Sequence, residues 1–277
     1  MTTPFFKMTG SGNDFVFLDG RAERAEGWTR ERIAAACDRR FGVGGDGLVL
    51  LEPADAGAVR MHYFNADGGR ASMCGNAALC STRLAARLGL ADPAGMRLVT
   101  DAGTYQARCV GPGSMAEIHL TDFPVPRQVP GIDLAGGERA AALAIVGVPH
   151  LVVLVDDIET VNVPVRGRQL RFHPATGAPG ANANFVAPPA APGGPWLIRT
   201  YERGVEGETL ACGTGTVAAA AALATFGEAP LPIQFQSRGG SPLAVAGTLE
   251  DGMVRDVWLA GEGRLVFTGE LMECDRA

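Results

Sequence analysis

Cys74 and Cys212 each stand directly ahead of a glycine that opens a helix-forming run, Cys-Gly-Asn-Ala-Ala from Cys74 and Cys-Gly-Thr-Gly-Thr from Cys212. A thiol at a helix amino terminus faces backbone N–H groups that have no partner within the helix and the positive end of the helix dipole. Both lower its pKa, so each sulfur can work as a base near neutral pH. The same N–H groups bind anions, so two such helix starts facing one cleft would seat a carboxylate. With one sulfur on each face of the α-carbon, a proton can leave from one side and return from the other. That chemistry is cofactor-independent racemisation or epimerisation. Other readings remain open. Cys212 with His150 could serve a thiol hydrolase, which would leave Cys74 unused, and a non-catalytic amino acid binding protein would need neither thiol. The cysteines and His62, His119, His150 and His173 lack the short spacing of a zinc site, so no metal is expected. Cys37, Cys80, Cys109 and Cys274 read as packing residues.

The elements that must position the two thiols form a repeat. "CGNAALCSTRLAARLG" and "CGTGTVAAAAALATFG" have the same length and both end on a large apolar residue followed by glycine. Each is preceded by a matched aromatic and polar run, "YFNADGGRASM" and "YERGVEGETLA". Each half also opens on a glycine turn feeding a strand-like run that ends in aspartate, "GNDFVFLD" and "GVPHLVVLVDD", and "GGDGLVLL" pairs more weakly with "NANFVA". The fold class expected is α/β of the α+β kind, two similar domains packed about a pseudo-twofold axis. The boundary is expected in the Gly/Pro loop near Gly111 to Met115, giving domains 1–113 and 114–264, with 265–277 returning to the first through the strand "RLVFTGEL". "VAPPAAPGGPW" reads as a second loop. "GVGGDG" formally matches a dinucleotide fingerprint, but a strand, not a helix, follows it, so it reads as a tight turn.

Composition narrows the class. The chain has 277 residues, 47% of them apolar, and a net charge of −6. No Lys/Arg block suggests a nucleic-acid partner, and no apolar run is long enough to cross a bilayer. "MTTPFFKMTG" does not resemble a signal peptide, and six cysteines without a Cys-x-x-Cys pair suit a reducing compartment, so a cytoplasmic protein is expected.

"GSGNDFVFLD", "FNADGGRASMCGNAALC", "GVPHLVVLVDD", "GANANFV" and "YERGVEGETLACGTGT" together resemble the diaminopimelate epimerases, cofactor-independent enzymes of the proline racemase-like superfamily. The resemblance runs over nearly the whole chain. It implies two α/β domains with strands wrapped around a central helix, usually a homodimer, and no cofactor. The implied reaction interconverts L,L- and meso-diaminopimelate, a step towards lysine and the peptidoglycan cross-linking residue. By the same resemblance, Cys74 and Cys212 are the two bases, and Gly75, Asn76, Gly213 and Thr214 bind the reacting carboxylate. Glu202 and His150 flank the reacting centre, with Glu202 meeting the α-ammonium. Asn13, Asn65, Asn182 and Arg203 hold the distal amino acid group. Taken singly, the asparagines would read as turn residues or caps, and His150 as an ordinary strand-start histidine. The chain departs from the family pattern at Ala77 and Leu79, where glycine and arginine are common, and at Val148, where an asparagine often contacts substrate. Gly47 stands where some members have a glutamine. These departures leave a racemase of another amino acid as the main alternative.

Overall fold

The computed structural model describes residues 2–55 and 57–272. Cys274 and the last residues of the segment 265–277 lie outside the described residues. The chain divides into two compact units, Met1–His119 with Ala260–Ala277, and Leu120–Leu259. It is a mixed α/β fold, rich in strands and poor in helices. Among the described residues no helix is long and apolar enough to cross a membrane.

The first unit begins with β1 (Thr2–Gly10), β2 (Asn13–Asp19), α1 (Arg30–Cys37), β3 (Gly47–Pro53), β4 (Ala58–Asn65) and β5 (Arg70–Ala71). It continues with α2 (Gly75–Arg87), β6 (Met96–Thr100), β7 (Gly103–Cys109) and β8 (Met115–Leu120). β2 and β3 carry unbroken apolar runs, "FVFL" and "LVLL", because both faces are covered, and they lie parallel with α1 as the crossover. β1 pairs antiparallel with β2, β3 with β4, β4 with β5 and β6 with β7, while β4 and β6 are parallel. The loop of residues 109–115 is the turn of the β7–β8 hairpin.

The second unit opens on the short β9 (Phe123–Pro124) and β10 (Arg127–Gln128), then β11 (Glu138–Val146), β12 (Val148–Val155), α3 (Arg168–Arg171), β13 (Asn182–Ala187) and β14 (Trp196–Glu202). β15 (Gly207–Thr209), α4 (Gly213–Phe226), β16 (Ile233–Ser237), β17 (Pro242–Glu250) and β18 (Met253–Glu262) follow. Its pairings repeat those of the first unit in order and sense. β11–β12, β13–β14, β14–β15 and β16–β17 are antiparallel, and β12–β13 and β14–β16 are parallel. The last strand, β19 (Arg264–Met272), returns to pair antiparallel with β1.

Each unit wraps its strands around one helix. α2 packs against β1, β2, β3, β4, β6, β7 and β19, and α4 against β11, β12, β13 and β17. Strands can close on a helix only if its side chains are small, and both helices are built largely from alanine, glycine, serine and threonine. Nine of thirteen residues of α2 and ten of fourteen of α4 are buried. Their buried hydroxyls bond within the helix, Ser81 and Thr82 to the carbonyls of Ala77 and Ala78, and Thr216 to that of Cys212. Both helices end in the same way. Gly89 (φ 66°) and Gly227 (φ 74°) adopt the left-handed conformation that closes a Schellman turn, with Leu90 N–H on Ala85 O and Glu228 N–H on Leu223 O.

The turn between β1 and β2 rests on the first turn of α2. A Cβ at Gly10 would lie 2.6 Å from the Asn76 carbonyl oxygen and 2.9 Å from Cys80 Sγ. We therefore expect Gly10→Ala to destabilise the protein by about 1–3 kcal/mol through overpacking, measured by urea unfolding. A control at Gly95, where a Cβ meets nothing within 4 Å, should shift the midpoint far less.

Candidate active site

Cys74 and Cys212 occupy the same place in their units. Each is the N-cap residue of its buried helix, in extended conformation (φ −141°, ψ 122° and φ −130°, ψ 109°), and neither sulfur caps the helix. Their carbonyls already accept from Ala78 and Thr216, so the helices start at Gly75 and Gly213. The N–H groups of the first turns, including those of Gly75 and Asn76 and of Gly213 and Thr214, precede any carbonyl they could bond within the helix. Both thiols are half-buried, and Cys212 Sγ lies 3.8 Å from Thr214 Oγ1. Cys37 and Cys80 differ from them. Burial pushes the Cys37 thiol up to about 12 and the Cys80 thiol well above its ordinary range, so neither ionises near neutrality.

In the first unit, Asn13 opens β2 and Asn65 ends β4, and the β2–β3–β4 register brings both to one end of the sheet beside Gly47. Asn76 Nδ2 donates to Asn13 Oδ1 at 2.6 Å, and Asn13 Nδ2 donates to Asp46 Oδ2 at 2.9 Å. This ties the first turn of α2 to β2. Asp46 also accepts from the Asp14 N–H, and Arg39 bridges the Asp14 and Asp46 carboxylates at 2.6 and 2.8 Å. Lys7 reaches Asp14 at 2.6 Å and the Gly44 carbonyl. Burial alone would raise the Asp14 carboxyl, but Arg39 and Lys7 outweigh it and hold it below its ordinary value. Asn65 has an exposed side chain and is not joined to Asn13 or Asn76 by these bonds. Gly47 has no room for a larger residue on this backbone, since a Cβ would lie 2.5 Å from the Phe64 carbonyl oxygen.

In the second unit, His150 on β12 lies opposite Asn182 on β13, and β14 ends in Glu202 followed by Arg203. The Asn182 side-chain oxygen accepts from the Arg203 N–H at 2.7 Å, and Glu202 accepts from Thr209 Oγ1 at 2.6 Å. His150 is fully buried, with Nδ1 3.3 Å from Asn184 Nδ2 and 3.5 Å from Asn182 Nδ2. Its Nε2 has no hydrogen-bond partner among the described residues. Burial first, and then the Arg203 charge, pull its pKa down to about 3, so the ring is neutral at physiological pH. Asn184 and the ionic cluster of Lys7, Asp14, Arg39 and Asp46 were not singled out from the sequence. The cluster's Asp14 follows Asn13 in "GNDF", and Asn184 lies in "NANF" beside Asn182, which were the available signals.

The family model described as diaminopimelate epimerase matches residues 5–121 and 142–247. The chain belongs to the diaminopimelate epimerase family. It is similar to a diaminopimelate epimerase from Gemmatimonas aurantiaca, 45% identical over 276 residues that cover 96% of this chain and 98% of the relative. Among solved structures, it is similar to the PhzF-family phenazine biosynthesis protein of Bacillus anthracis, with a TM-score of 0.76 and 15% identity over 98% of this chain and 99% of that one. A probable proline racemase from Agrobacterium radiobacter K84 matches with a TM-score of 0.68 and 18% identity over 99% and 94%. At such identities these two structures speak for the two-domain α+β fold alone. As a member of the diaminopimelate epimerase family, the protein is an isomerase. Ala77 and Leu79 are fully buried in α2, and Val148 is half-buried two residues before His150.

The depressed pKa of His150 has a consequence for stability. Unfolded, the side chain takes up a proton below about pH 6.5; folded, it does so only near about pH 3. Its contribution is therefore intact above about 6.5 and is lost as the pH falls towards 3. The slope is about 1.4 kcal/mol per pH unit. Urea unfolding of wild type and His150→Gln between about pH 7 and 5 should show the wild type losing stability more steeply by roughly that amount.

Proposed function

We propose that this protein interconverts L,L- and meso-diaminopimelate by a two-base proton transfer, with Cys74 serving one face of the α-carbon and Cys212 the other. The observation that carries this reading is the repeated placement of a half-buried thiol at the N-cap of a buried helix, once in each unit. One sulfur starts as thiolate and removes the α-proton, and the other starts as thiol and returns a proton to the opposite face. In the reverse direction the roles exchange. Charge that develops on the substrate carboxylate is stabilised by the first-turn N–H groups at Gly75 and Asn76 and at Gly213 and Thr214. No cofactor enters this scheme.

In this reading Glu202 meets the α-ammonium and His150 flanks the reacting centre. Asn13, Asn65, Asn182 and Arg203 hold the distal amino acid group, Arg203 through a bidentate contact with its carboxylate. The bonds from Asn13 to Asn76 and Asp46 support it, because they fix the amide orientation and still leave it one N–H to offer. Val148 favours a second reading, a racemase of a different amino acid, because valine offers no hydrogen bond to a distal group. We further propose that the two compact units are the two epimerase domains and that the enzyme is a cytoplasmic homodimer, as the family resemblance implies.

Proton exchange at the α-carbon in D₂O, followed by NMR with L,L-diaminopimelate beside other L-amino acids and proline, separates the two substrates. Cys74→Ala and Cys212→Ala should each lower interconversion by about 10²–10⁴-fold or more. A variant that epimerises at near the wild-type rate would overturn the two-base scheme. Arg203→Lys keeps the charge and loses the fork. It should raise KM for diaminopimelate with little change in kcat, and an unchanged KM would remove Arg203 from the distal contact.

A further inference from the structure

The amides around His150 define which nitrogen carries its proton. Asn184 Nδ2 lies 3.3 Å from the Leu151 carbonyl oxygen and 3.4 Å from that of Asn182. Carbonyl oxygens accept and cannot donate, so this end of the amide is its NH₂ group. Its oxygen accepts from Thr200 Oγ1 at 3.0 Å. Asn182 is oriented in the same way, because its oxygen takes the Arg203 N–H. Two NH₂ groups therefore face His150 Nδ1, which can meet them only with its lone pair. In a neutral ring the proton must then sit on Nε2, the nitrogen that is buried without a partner among the described residues.

We propose that Asn184, assisted by Asn182, holds His150 as a neutral imidazole with its proton on Nε2, so that His150 serves the reacting centre as a hydrogen-bond donor and not as a base. This rests on the placement of His150 at the reacting centre given above. A base would have to gain a proton at Nε2, which already holds one, or at Nδ1, against two amide donors and the Arg203 charge. On the elements packed around the ring, β11 sets Ala144 opposite it, β13 sets Asn182, β14 ends in Glu202 before Arg203, and α4 begins after Cys212. A buried, uncharged N–H can stabilise negative charge on a thiolate or a substrate oxygen without titrating itself.

Asn184 is a positioning residue, and it reaches the helix as well as the ring. A Cβ at Gly215 would overlap the Asn184 oxygen and lie 3.2 Å from Cys212 Sγ. The side chain of Asn184, fully buried, thus touches the turn that carries the second thiol. One amide meets both the ring and the first turn of α4.

The test is ¹⁵N NMR of the histidine-labelled whole protein, in which the His150 signals are identified by their loss in His150→Gln. Four histidines make the assignment tractable. The expected result is a protonated Nε2 and an unprotonated Nδ1 that do not change between about pH 8 and 5. A doubly protonated ring within that range, or a proton on Nδ1, would overturn the proposal in the wild-type protein itself. Asn184→Asp exchanges the donor for an acceptor with little change of shape. It should move the proton to Nδ1, bring His150 into titration within about pH 6–8, add a new limb to the kcat–pH profile and lower kcat about tenfold or more with little effect on KM. An unchanged tautomer and profile in a folded Asn184→Asp protein would contradict it, as would a His150→Gln enzyme at the wild-type rate. The thiol scheme is read separately from the cysteine variants, so failure of either is distinguishable.

Discussion

The enclosure of α2 and α4 by their own strands is the constraint on which the rest of the structure depends. A helix covered along most of its length must be slender, and its polar hydroxyls must find partners within the helix itself. Its first N–H groups cannot do so, which leaves the amino end as the place where a buried helix presents unsatisfied donors. Serine, threonine, aspartate or asparagine at the N-cap would take up one of those donors and stabilise the helix by about 1 kcal/mol. Cysteine stands there in both units and caps neither helix. The sequence forgoes a side-chain cap at both places, a local inconsistency of the kind expected at functional sites.

The two units share a backbone plan and differ in what fills it. Around the start of α2 the polar residues are ionic, with Arg39 and Lys7 clamping Asp14 and Arg39 also bound to Asp46, so that Asn13 is fixed and Asn76 with it. Around the start of α4 two amides turn towards one buried imidazole, with Arg203 bonded to one of them through its N–H. Such a difference suits a reaction whose two proton transfers meet different groups on the two faces of the carbon. The low pKa of His150, about 3, also weighs against a hydrolase pairing with Cys212, because a general base must be able to hold the thiol proton.

Much of this was legible in the residues. Alternating and continuous apolar runs marked β2, β3, β12 and β19, and the terminal glycines Gly89 and Gly227 marked the ends of the helices. The repeat was visible because duplicated helix starts need the same residue types in the same order. What remained hidden depends on contacts between distant segments. Nothing local distinguishes Asn184 from a packing or turn asparagine; its role arises where β12, β13, β14 and α4 meet. Asp46 likewise reads as part of a tight turn and Asp14 as part of a strand-like run until the fold brings Arg39 and Lys7 beside them. The Pro/Gly loop of residues 109–115 carried the composition of a linker, yet β7 and β8 pair across it, and that pairing is invisible in composition.

The central claim is that two different groups handle the proton on the two faces of one carbon. The most direct measurement is the early time course of deuterium uptake when L,L-diaminopimelate is turned over in D₂O, with substrate and product stereoisomers resolved by NMR. With two bases, the proton removed and the deuteron delivered belong to different sulfurs, so deuterium should enter the product from the first turnovers while recovered substrate stays protonated. If the product instead retains the substrate's own α-proton, or if both isomers gain deuterium equally from the start, a single base serves both faces and the account is wrong.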